Sequence, residues 1–185
     1  MDYFNEQEFN TSDTLNLSDS EFENCRFHNI NFSEREFENV VFNDCSFDTC
    51  NFSNLPLYSI SFRDCFFKNC KMVGLVWQQC RNLNFVTFEQ SQLNYSSFSE
   101  GKFHQLVFND CSLRDADFSN SVLKNSSFAN SDLQGAQFIE SDLTNADFRA
   151  ARNYSIDPSQ TRIKNAKFSM PEVVGLLHHL DIIIE

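Results

Sequence analysis

The side chains of this chain with chemistry to offer are seven cysteines, four histidines and twenty-six Asp and Glu residues. Cys25, Cys45 and Cys65 recur every twenty residues, and Cys50 and Cys70 repeat that interval. Regular spacing stacks the thiols, which raises a metal site or disulfides as readings. Zinc sites use short, mixed Cys and His spacings that are missing here. Cysteine also packs well as a small buried hydrophobe. The expectation is therefore core filler, with no metal site and no cofactor. His28, His104, His178 and His179 have no neighbouring nucleophile and orienting acid implied by the sequence. Phosphate-cradling glycine motifs and HExxH are missing. Glu36 and Glu38 could serve acid–base chemistry, but only within a pocket. No catalytic residue is assigned, and the chain is read as a non-enzyme.

The elements that position these groups follow from a repeat of five. Every fifth residue from Leu17 to Trp77 is large and apolar, thirteen in succession. The frame slips by one residue within Gln78–Asn82 and resumes with fourteen more, from Leu83 to Phe148. A period of five matches neither an α-helix nor a strand, and it fails the coiled-coil heptad. It fits a chain that turns a corner every five residues. Two residues before each large centre sits a second inward position, mostly small: Cys25, Cys45, Ser91, Ala116, Ser131. The other three positions are mainly polar and face water. With 22 Phe but only 4 Gly and 3 Pro, the core is aromatic and the turns fall to Asn, Asp and Ser. Arg35 breaks the inward rule. Either it snorkels outward at a corner or the coil is distorted there.

The segments CSFDTCNFSN, ADFSNSVLKN and SDLTNADFRA resemble the pentapeptide-repeat family. That resemblance implies an all-β fold, a right-handed quadrilateral parallel β-helix with twenty residues per coil. Three parts are expected. Residues 1–14 form an N-terminal cap segment. Residues 15–150 form the β-helix, with the slip near 78–82. Residues 151–185 form a final irregular coil, a capping helix and a dimerisation segment. Across the slip, the centres Phe27, Phe47, Phe67, Phe88, Phe108, Phe128 and Phe148 should form one Phe stack, provided the extra residue bulges out. Ser169 and Glu172 read as a capping box for a short C-terminal α-helix, followed by a strand from Asp181 to Glu185. Val174, Leu177, Leu180, Ile182, Ile183 and Ile184 are the expected dimer interface; the bland alternative is a cap alone. The family resemblance and symmetry both favour a homodimer.

Formal net charge is −12, which repels membranes and nucleic acid. The frame gathers Asp19, Glu36, Glu38, Glu100, Asp117 and Glu140 on one face, with no Lys or Arg at that face's outward positions. An acidic stripe on a rod resembles the phosphate charge of a duplex. The resemblance adds a partner: quinolone-resistance (Qnr-type) and microcin-immunity-type members bind bacterial type II topoisomerases as DNA mimics. A bacterial type II topoisomerase, DNA gyrase or topoisomerase IV, is thus the expected partner. A generic binding scaffold with an unrelated partner is the alternative. The opening residues are polar, and no apolar run could span a bilayer. A cytoplasmic location with reduced thiols is expected.

Overall fold

The computed structural model describes residues 1–180, 182 and 183. Eleven short strands form two parallel sheets, alternating between them up to the tenth. The first sheet comprises β1 (Asp2–Asn5), β3 (Ser18–Glu23), β5 (Glu38–Asn43), β7 (Ile60–Arg63) and β9 (Asn82–Asn84), stacked in that order. The second comprises β2 (Glu8–Asn10), β4 (Arg26–His28), β6 (Ser46–Asp48), β8 (Phe66–Lys68), β10 (Thr87–Glu89) and β11 (Val107–Asn109). Single parallel bridges hold the remaining two faces, as in Asn31↔Asn51↔Lys71↔Gln92 and Val76↔Ser97↔Asp117↔Gln137. Four ladders make a four-sided parallel β-solenoid.

The corners explain the composition. One residue in nearly every pentad has φ near +50 to +60°, among them Asn24, Asn29, Asp44, Asn69, Asp110 and Asn130. Asn and Asp enter the left-handed region more readily than other side chains. They therefore replace the glycines that a chain with so many turns would otherwise need. Gly135 is one of two exceptions. Its φ is +74°, and an added Cβ would lie 2.3 Å from Asp115 Oδ1.

Of the twenty-seven centre residues, all but Phe37 are buried. Their rings form columns along the rod. One column runs Phe9, Phe27, Phe47, Phe67, Phe88, Phe108, Phe128, Phe148 and Phe168, with stacked neighbours 4.7–5.3 Å apart. That step is the strand spacing of a sheet. Adjacent columns meet edge to face, for example Phe118 and Phe128 at 88°, an arrangement that aligns ring edge with ring face. The slip is visible in the register. Val40 pairs Ile60, twenty residues on, whereas Phe62 pairs Leu83, twenty-one on. The additional residue is taken up beside a 3-10 turn at Trp77–Gln79, and the Phe67–Phe88 stack passes it intact.

Three expectations need correction. Residues 1–14 do not precede the solenoid as a cap, because β1 and β2 already pair in register with β3 and β4. Their signal, Phe4 and Phe9 five residues apart, is hidden because this first coil is offset by eighteen residues rather than twenty. The C-terminal helix is not α-helical: Glu172–Leu176 and His178–Leu180 are two 3-10 turns. A segment this short cannot recover the cost of nucleating an α-helix, and its backbone is held down by contact at Gly175, where a Cβ would lie 2.4 Å from the Tyr154 carbonyl. The capping box also fails. Ser169 Oγ instead accepts a hydrogen bond from the Ala150 N–H at 2.9 Å, and no side chain caps the first turn. Ile182 and Ile183 carry no strand assignment, and the rest of the expected terminal strand, Asp181, Ile184 and Glu185, lies outside the described residues.

Candidate docking surface

Inward-facing thiols bond to backbone carbonyls. Cys45 Sγ donates to the carbonyls of Phe22 and Asn43, both at 3.3 Å, and Cys65 Sγ repeats this on Phe42 and Arg63. Burial pushes the Cys45 thiol up to about 12, and Cys111 is raised likewise to about 12. Thiols held protonated in this way are poor nucleophiles and poor ligands. Further along the rod, serine takes the same inward place and the same work: Ser131 Oγ donates to the Phe108 carbonyl at 3.3 Å, and it also accepts from the Cys111 N–H at 3.0 Å.

Arg35 lies half-buried at a corner. Its Nε donates to the Asn31 carbonyl at 3.3 Å and its guanidinium lies 6.0 Å from the Phe32 ring centre. It snorkels outward, which settles the alternative in favour of a side chain turned to the surface.

The acids of the stripe fall into two groups. Asp19, Glu36 and Glu38 lie at the N-terminal end, and all three are exposed. Glu100, Asp117 and Glu140 lie beyond the slip. The column beneath them is Trp77, Phe98, Phe118 and Phe138, stacked at 4.9–5.6 Å. Glu100 and Glu140 occupy left-handed corners, with φ of 58° and 57°, and are exposed. Asp117 is half-buried and its Oδ1 accepts from the Ser119 N–H at 2.9 Å. The stripe is not free of bases in three dimensions. Arg81, which lies in the slip and so has no place in the pentad frame, donates from Nη2 to Asn39 Oδ1 at 2.6 Å. Asn39 in turn donates to Asp19 Oδ1 at 2.9 Å. One base thus stands between the two acidic groups.

The C-terminal end is apolar and open. Met170 is 78% exposed, Val174 and Leu177 are each 37% exposed, Leu180 is 57%, Ile182 54% and Ile183 89%. Leu176 instead turns down and packs on the core. Of the expected dimer residues, five are thus exposed on one end of the rod, and Ile184 lies outside the described residues.

Among the described residues, no helix is long and apolar enough to cross a membrane, and no cluster of His, Cys, Asp or Glu could hold a metal ion. The molecule is a stacked parallel β-solenoid whose acidic groups and exposed apolar residues lie on its outer faces and C-terminal end. The pentapeptide-repeat region matches residues 40–118, and the pentapeptide repeats match residues 16–54 and 111–149; the chain belongs to the pentapeptide-repeat family. No curated protein matches the sequence. Among solved structures, a trypsin-treated variant of QnrB1, described as a plasmid-mediated fluoroquinolone resistance protein, is 17% identical. That match covers 100% of this chain and 98% of QnrB1, with a TM-score of 0.51. HetL from the cyanobacterium Nostoc, described as involved in heterocyst differentiation regulation, is 16% identical. It covers 88% of this chain and 84% of HetL, with a TM-score of 0.60. At these identities the likeness is one of fold.

Proposed function

We propose that this protein is a non-enzymatic rod that mimics duplex DNA and docks, as a homodimer, on a bacterial type II topoisomerase in the cytoplasm. There it modulates the enzyme or protects it from quinolones or toxins. The observation that carries the reading is the two groups of carboxylates, Asp19, Glu36 and Glu38 and then Glu100, Asp117 and Glu140, along one side of a stack of coils whose core rings lie 4.7–5.3 Å apart. A duplex presents one charge per roughly 1.7 Å of axis. The stripe is sparser, so it competes for the rim of a DNA-binding groove rather than reproducing every phosphate. The apolar C-terminal end supplies a self-complementary surface for a two-fold dimer. Likeness in fold to QnrB1 over nearly its whole length supports the quinolone connection.

The test is supercoiling by purified gyrase, and relaxation by topoisomerase IV, with and without a quinolone. A change in activity or in drug sensitivity on adding the full chain supports the mimic. No effect at any ratio removes the topoisomerase reading. It would leave a protein-binding scaffold with an unrelated partner, a second reading favoured by the fold shared with HetL.

A further inference from the structure

The extra residue at the slip opens the smooth side of the solenoid. Between the bulged coil and the coil that follows it lies a cavity of about 350 Å³, the size of a small-ligand site. Arg81, Lys102 and His104 gather there, on a chain of net charge −12. Glu100 is the one carboxylate in the lining. Arg81 has donors to spare beyond its bond to Asn39, since a guanidinium carries five. Trp77 lines the inner wall, is 1% exposed, and its Nε1–H has no partner among the described residues. That donor is sealed within the ring column, so the indole forms the floor of the recess and not part of its polar lining.

A second hollow continues from the first through the shared residues Phe103 and His104. Phe85 stands at its edge. It occupies a left-handed corner, φ 56°, where the rod elsewhere mostly places Asn or Asp, and its side chain is 49% exposed. A bulky residue in this conformation is an outlier; Tyr95 shares it at φ 59°, and what distinguishes Phe85 is its place beside the cationic recess. The Phe85 N–H donates to the His104 carbonyl at 3.0 Å, which fixes the ring's residue beside the cationic recess. Lys124, also on this hollow, is occupied by an ion pair with Asp142 at 3.3 Å.

We infer that this recess binds a nucleotide. Lys102 and His104 hold the phosphate group, Arg81 adds its charge from the rim, and Phe85 stacks the base. Cations on a phosphate make strong charge-assisted hydrogen bonds, and an exposed aromatic face accepts any base. The inference does not rest on the topoisomerase reading, and its recess shares only Glu100 and Arg81 with the acidic side.

The experiment is calorimetric titration of the full chain with AMP, adenosine and inorganic phosphate at matched ionic strength. Fluorescence of Trp77, the single tryptophan, provides the second readout. AMP should bind one to one, about tenfold tighter than inorganic phosphate, the difference being the stacked base. Phe85→Asn should remove that advantage and leave phosphate binding unchanged. It should also raise the melting temperature, because Asn suits the corner. Lys102→Glu should weaken both ligands by more than about tenfold, whereas Lys164→Glu, the same charge change elsewhere, should leave both intact. Absence of AMP binding at millimolar concentration overturns the inference. So does adenosine binding as tightly as AMP, AMP binding no tighter than phosphate, or equal loss in the two lysine variants.

Discussion

At the scale of single residues, the fold depends on what each pentad position excludes. Phe108 has stacked neighbours on both sides, Phe88 at 5.1 Å and Phe128 at 5.2 Å. Phe108→Ala leaves a void that rigid coils above and below cannot close. It should cost about 3–5 kcal/mol, read from urea unfolding. Hydrogen-bonded carboxylates, between coils at Asp132 and within one coil at Asp147, give the rod an acid limit. Burial opposes ionisation of Asp132, but hydrogen bonds from Asn153 and Arg114 outweigh it and hold the carboxyl below the ordinary range. The Arg149 side chain does the same for Asp147. A carboxyl with a depressed folded pKa contributes stability above its unfolded value and loses it as pH falls through the folded one. The rod should therefore lose stability below about pH 4. Asp132→Asn should flatten that dependence in melting curves taken between about pH 7 and about pH 3. A variant that keeps the full acid dependence would place the effect elsewhere.

At the scale of the element, the decisive part is the C-terminal closure. A β-solenoid end exposes backbone and core and must be covered. Here Tyr154 is buried beneath Gly175, while Leu176 packs on the core cluster and Ser169 bonds back to Ala150. Gly175→Val would drive a side chain to within 2.4 Å of the Tyr154 carbonyl, which is backbone and cannot yield. The expected outcome is release of the terminal turns, seen as rapid protease cleavage after Ala150 and a rod that aggregates through its open end. Wild-type resistance to cleavage in that variant would show the closure to be dispensable. The same turns present Leu177 and Leu180 outward. Leu177→Glu and Leu180→Glu should yield monomers in light scattering. A wild-type monomer at micromolar concentration would remove the dimer.

At the scale of the whole molecule, charge placement separates a mimic from a merely acidic protein. Glu100 and Glu140 are exposed corner residues on the stripe, and Asp44 and Asp64 are exposed corner residues elsewhere, all four with positive φ. Reversing either pair to Lys changes net charge by the same amount at backbone positions of the same kind. If the stripe docks on a topoisomerase, Glu100→Lys with Glu140→Lys should weaken binding strongly, and the effect should shrink at high salt. Asp44→Lys with Asp64→Lys should do much less. Equal loss from both pairs would mean that net charge alone is recognised. Asp132 would be a poor control in such a test. It is 8% exposed and ties Arg114 and Asn153 to its own coil, so its reversal would lower stability as well as change charge.

The pentad of large apolar residues determined the solenoid from sequence alone. A five-residue period admits one way to bury every centre, and the Phe stack across the slip needed only arithmetic. Composition also pointed to the corners, since Asn and Asp at fixed spacing are what left-handed turns select. The tertiary structure decided whatever depends on contacts between coils. Phe4 and Phe9 join the rod only because an eighteen-residue coil pairs as well as a twenty-residue one. Glu172–Leu180 coils as 3-10 turns because Tyr154 and the last coil constrain a segment too short to be helical alone. Arg81 enters the acidic stripe because a guanidinium from the bulged segment reaches Asn39, forty-two residues away in sequence. A repeat frame assigns each residue its own face and cannot express such reach, since a long side chain at an irregular position is placed by the surface it finds.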